Sequence, residues 1–165
     1  MISIVRAYDR AVYEASLAVH VVAAIVGFGA TFTYPVIQLV AERREPGALA
    51  FAMSTILAIS RWVAVPATTI VGITGVYQVA AGPYSLGEAW LAAGAALYAF
   101  VMVVGVFVLA PAYGRAQRAA AQFAASELIE VPREYRAALR RPALLGPLVA
   151  AAIVATAVLM EVKPG

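Results

Sequence analysis

At 165 residues, with 64 % hydrophobic and only 13 % charged side chains and a mean hydropathy of +0.88, the chain lies far from the soluble average of about half apolar and a quarter charged. That balance excludes an ordinary soluble enzyme domain and specifies a polytopic membrane protein, all-α, with room for four spans closing into a four-helix bundle. The net charge of +3 comes from arginines beside the apolar runs and reads as membrane orientation, not as a nucleic-acid footprint, while the absence of cysteine removes disulfides, thiolate metal sites and CxxC redox chemistry.

Residues 1–14 mix Ile2, Ile4, Val5, Tyr8 and Val12 with Arg6, Asp9, Arg10 and Glu14. This suits either an amphipathic lead-in at the membrane interface or the solvated first turns of a helix, and the early charges do not make a cleavable signal. Span 1 is expected at 15–41, uncharged and carrying the only histidine. At ~1.5 Å per residue it exceeds the roughly 20 residues needed to cross a core of about 30 Å. Turned at ~100° per residue, it lines up Ser16, His20, Ala24, Gly27, Thr31, Tyr34 and Gln38, with Val22, Ile25, Val26, Phe28, Phe32, Val36 and Val40 on the other faces. Lipid has no use for polar groups, so this stripe should face protein, water or a bound group.

A polar hairpin follows at 42–47. The next charge-free stretch runs into Arg61-Trp62, and span 2 is read as 62–81 with those two side chains at headgroup level and 46–60 as a helical extension. The alternative places Arg61 inside the bilayer, at a cost of at least ~2.5 kcal/mol. Ala64, Thr68, Gly72 and Gly75 share one face of this span, and such small residues let helix backbones approach closely. Gly82-Pro83-Tyr84-Ser85 makes a tight turn, Glu88 and Trp90 mark the next interface, and span 3 at 89–113 puts Gly94, Tyr98, Val101, Gly105 and Ala112 on one face. Residues 114–141 form a basic segment, helical in its Ala-rich first half, broken at Val131-Pro132 and helical again from Arg133. It reads as a solvated connection that fixes topology, with binding of anionic lipid or a partner as the alternative. Span 4 is 142–160, its packing face expected at Ala151 and Ala155, with Met160 near the opposite side.

Orientation follows from the arginines. Arg43, Arg44, Arg61, Arg115, Arg118, Arg133, Arg136, Arg140 and Arg141 all belong to the span 1–2 and span 3–4 connections, against Arg6, Arg10 and Lys163 on the other side. Both connections are therefore expected in the cytoplasm of a bacterial inner membrane and both termini outside. Pro35, Pro66, Pro111 and Pro147 stand near the cytoplasmic span ends, and RWVAVP resembles RRPALLGP, which suggests two hairpins related as a parallel repeat.

The pattern HVVAAIVGFG, then Tyr34-Pro35, then Arg61-Trp62 leading to a Gly-x-x-Gly face, resembles a family of bacterial four-helix integral membrane proteins of unknown function. It is more distantly similar to the copper-resistance CopD membrane domain and to the HemJ-type protoporphyrinogen oxidases. The latter resemblance implies a haem b site using a span 1 histidine, and only His20 matches, with no second histidine in the chain.

Read by itself, the His20 imidazole is a good ligand for haem iron or copper, and an ionisable group within a span is a functional candidate. One imidazole is not a metal site, so it would need Tyr98, Tyr77 or Met102, or His20 of a second copy across a two-fold axis. Two functions are expected on these grounds. The first is a haem- or metal-handling redox protein with His20 as ligand and Tyr98 or Tyr77 beside it. Its rival is a non-catalytic membrane subunit whose polar stripe and arginine-rich segment serve assembly, as a homodimer or with a membrane partner. No phosphate-binding loop, HExxH motif or serine triad is present to suggest other chemistry.

Overall fold

The computed structural model describes residues 2–82, 84, 85, 87–126 and 130–164, and these fold as four long helical rods. The first rod joins α1 (Ile2–Thr31) to α2 (Tyr34–Ala41). Its break at Phe32 and Thr33 precedes Pro35, whose ring removes a backbone donor, and the Thr31 and Thr33 hydroxyls donate to the carbonyls of Phe28 and Ala30, both at 2.7 Å. The second rod is α3 (Pro46–Ile59), a π-helical turn over Ser60–Ala64, and α4 (Val65–Ala81). The third repeats this design as α5 (Ala89–Val104), a π-helical turn over Gly105–Leu109, and α6 (Ala110–Ala124). Each π-helical turn stops two residues short of a proline, Pro66 or Pro111, where the regular ladder would lack an N–H, so the ladder slips by one residue. The Val65 and Ala110 amides then reach back five residues, to Ser60 and Gly105. The fourth rod is the single helix α7 (Arg133–Val162), which carries Pro142 and Pro147 internally.

Helix α1 lies along α4, α5 along α7, and α3 along α6, while α2 leans on α3 and α6 on α7. The second rod thus changes neighbour at its π-helical turn, meeting α6 on one side of it and α1 on the other. Two cores result. At the end holding the arginine-rich connections, Leu49, Met53 and Ile56 of α3 pack on Ala116, Ala120 and Phe123 of α6 and on Tyr135 and Leu139 of α7. The alanines bring α6 close enough that Met53, Ile56, Ala116 and Ala120 have no exposed surface. Toward the chain ends, Val101 and Val104 of α5 meet Val149, Ala152 and Ile153 of α7.

The outer surface is apolar in the way a lipid-facing surface must be. Ile25, Val76, Phe107 and Leu144 are 66 %, 72 %, 72 % and 74 % exposed, and all four rods are long and apolar enough to cross a membrane. Helices run past the expected span limits, since α6 continues to Ala124 and α7 starts at Arg133. Arg61 is exposed on a continuous rod, its guanidinium 5.5 Å from the Trp62 ring. The packing face of α7 differs from the expected one: Ala151 is exposed, and Met160 points at α5, where its Cε fills the space a side chain on Gly94 would need. Pro83 of the expected turn lies outside the described residues.

A clasp closes the end where the chain terminates. The Lys163 ammonium donates to the Tyr84 hydroxyl at 2.7 Å and sits 4.8 Å and 6.0 Å from the Tyr84 and Trp90 ring centres, while Trp90 Nε1 donates to Glu88 at 2.7 Å. The bond to Tyr84 pushes the Lys163 pKa above its ordinary value.

Candidate functional site

The polar stripe of α1 faces α4 over its first half. Gln78 Nε2 donates to the Ser16 carbonyl at 3.3 Å, His20 Nδ1 lies 2.8 Å from Thr74 Oγ1, and Gly27 sits flush on Ala67 and Thr68. A Cβ on Gly27 would stand 3.0 Å from both side chains, so the glycine sets how closely the two helices approach. The Thr74 hydroxyl gives its own proton to the Ile70 carbonyl at 2.7 Å. When that proton is on Ile70, Thr74 accepts from His20 Nδ1–H; when it turns to the ring, Nδ1 accepts from Thr74. The ring lies against Gly75, its Cε1 3.4 Å from where a Cβ would be, an ordinary van der Waals distance.

Tyr98 reaches α4 from the other hairpin. Its hydroxyl donates to the Thr68 carbonyl at 2.9 Å, directly over Gly72, where a Cβ would be 2.6 Å from the hydroxyl oxygen. Phe28 meets the Tyr98 ring edge-on at 6.5 Å. Thr68 and Thr74, the partners of Tyr98 and His20, are six residues apart on α4, or roughly 9 Å along the helix. Met102 lies a further turn from His20 along α5, and Tyr77 stands three residues beyond Thr74, 37 % exposed. The structure thus gives His20 to Thr74 and Gly75, and Tyr98 to Thr68 and Gly72, as separate contacts.

The second half of the stripe serves a different cluster. The Thr31 hydroxyl is spent on its own backbone, and beyond the break Tyr34 turns to α6, its ring edge-on to Tyr113 at 6.1 Å. The Tyr34 hydroxyl is enclosed next to Ser60 without a hydrogen bond of good geometry. Gln38 Nε2 donates to Glu42 Oε1 at 2.9 Å, and the Tyr135 hydroxyl approaches the same oxygen at 3.3 Å. Sequence reasoning missed Glu42, Tyr113 and Tyr135 here. A signal existed for Tyr135, because Tyr135, Ala138, Leu139 and Pro142 recur at helical spacing and are all buried.

These residues can hold helices together with fixed hydrogen bonds, and they offer one imidazole nitrogen to a ligand. Among the described residues no three of His, Asp and Glu converge on a point that could hold a metal ion. A model of the family described as "Predicted integral membrane protein (DUF2269)" matches residues 16–164. No curated protein and no solved structure matches.

Proposed function

The chain belongs to the DUF2269 family of predicted integral membrane proteins, and on that premise we propose that it is a non-catalytic, multi-span membrane subunit whose polar stripe binds its own helices together. The observation that carries this reading is the pairing of α1 with α4: the Ser16 carbonyl accepts from Gln78, His20 meets Thr74 and Gly27 packs on Thr68, while the Ser16 hydroxyl is buried without a partner. Such interhelical bonds within a membrane contribute about 0.6 kcal/mol on average and at most about 1.7. They specify which helices pair more than they stabilise the pair. In this reading the arginine-rich end faces the cytoplasm of a bacterial inner membrane and both termini lie outside.

A second reading rests on the histidine tautomer. In the tautomer that donates from Nδ1 to Thr74, Nε2 carries the lone pair and has the arrangement of a metal-ligating imidazole whose other nitrogen is oriented by a hydrogen bond. Haem b or copper would then be held by His20 of two copies of the chain, with Thr74 orienting each ring.

A visible spectrum with metal analysis, on detergent-purified wild type and His20→Ala, separates the two. The subunit reading expects a colourless, metal-free wild type and a variant whose only defect is lower thermal stability. A Soret band or stoichiometric copper that the variant loses, in a dimeric wild type, overturns it in favour of the second.

A further inference from the structure

We propose that the groove between α2 and α3 holds one acyl chain of an anionic phospholipid whose phosphate meets Arg44. The groove has a volume of about 420 Å³, near the lower end of the range of small-molecule sites, ~300–1,000 Å³. Val36, Val40, Ala48, Phe51 and Thr55 are among the side chains along it, and Arg44 is its only charged one. The groove surface is apolar throughout, with Arg44 contributing only its aliphatic stem; an acyl chain suits that surface, and a guanidinium at its edge suits a phosphate.

Two further observations favour a bilayer lipid as the occupant. Arg44 has no carboxylate in range, since the only salt bridge among the described residues is Arg10 with Glu14. The walls at Val36, Val40 and Phe51 are 60 %, 53 % and 74 % exposed, and Val22, Ile25 and Phe32 on the same rod as Val36 and Val40 are exposed as well, so the groove opens on the side of an apolar outer surface. At the same end of the molecule, the outer faces of α6 and α7 carry exposed Arg115, Arg118, Arg136 and Arg140. None of these four lines the groove, so they are the comparison for Arg44 at the same level.

Native mass spectrometry of the detergent-purified full chain, titrated with phosphatidylglycerol or with phosphatidylcholine of the same acyl chains, tests this. Wild type should bind phosphatidylglycerol about five-fold more tightly, the worth of roughly one arginine–phosphate contact near a membrane surface. Arg44→Gln should remove that preference, Ala48→Trp should remove both adducts by filling the groove, and Arg118→Gln should change neither. Equal binding of the two lipids, or a preference that survives in Arg44→Gln, overturns the proposal. A dimer mass that Ala48→Trp converts to monomer also overturns it, because the occupant would then be a second copy.

Discussion

One hydroxyl holds the only histidine. Thr74 Oγ1 lies 2.8 Å from His20 Nδ1 and 2.7 Å from the Ile70 carbonyl, so it links the ring to α4. His20→Phe and Thr74→Val should each lower stability modestly, and a double-mutant cycle read by thermal unfolding in detergent should return a coupling of about 0.6 kcal/mol. Independent effects would show that the contact does not form. Lys163 makes a pH prediction. Its pKa is raised by Tyr84, so the clasp on Tyr84 and Trp90 is fully present below the ordinary lysine value and is lost only as pH rises through the raised one. Trp90 fluorescence should stay flat from neutral pH to about 10 and change above it, and Lys163→Met should show the high-pH signal throughout. At this scale the α1 stripe was legible because polar groups in a span are rare and helical periodicity groups them. Its partner Thr74 was not, since Thr68, Thr69 and Thr74 all bond their own backbone and no spacing says which of them meets α1.

Between elements, glycines do the positioning. Gly72→Ala puts a methyl against the Tyr98 hydroxyl, so it should destabilise by the ~1–3 kcal/mol of an overpacked contact plus the lost bond to Thr68. Tyr98→Phe removes the obstructing oxygen. The pair Gly72→Ala/Tyr98→Phe should therefore be more stable than the two single effects predict, as measured by unfolding in detergent; strict additivity would contradict the contact. The Ala64, Thr68, Gly72 and Gly75 face was legible as a place of close approach, and it is where His20, Gly27 and Tyr98 arrive. The α7 face was not legible. Its alanines suggested one side, but Met160 seats on Gly94 and Val149, Ala152 and Ile153 meet α5, a choice made by the neighbouring helix.

Across the whole molecule, four rods could be read from hydropathy, but which rod touches which could not, because that depends on contacts far apart in the chain. The two cores should also respond differently to truncation. Ile56 has no exposed surface and packs against helices bearing arginines, so Ile56→Ala should cost the ~2–5 kcal/mol of a buried core deletion. Ile153→Ala should cost less, because lipid tails are as apolar as the side chain and only the packing loss remains. Chemical unfolding of the two variants in detergent compares them directly, and a larger loss at Ile153 would reverse this assignment.

The π-helical turns bear on how this chain tolerates changes in length. Ile56 and Ala67 are eleven positions apart, which on an unbroken α-helix places them within about 20° of each other. The slipped turn takes up one residue, leaving them roughly 80° apart, and so one rod can offer Ile56 to α6 and Ala67 to α1. Deleting one residue inside Ser60–Ala64 would restore a regular ladder while keeping both flanking faces where they are. The same holds within Gly105–Leu109. A chain shortened by one residue at either place should still fold, whereas a deletion in the middle of α4 would swing the Gly72 and Gly75 face away from Tyr98 and His20. Each widened turn thus has the form of an absorbed insertion, and the two together mark where the length of this protein is free to vary.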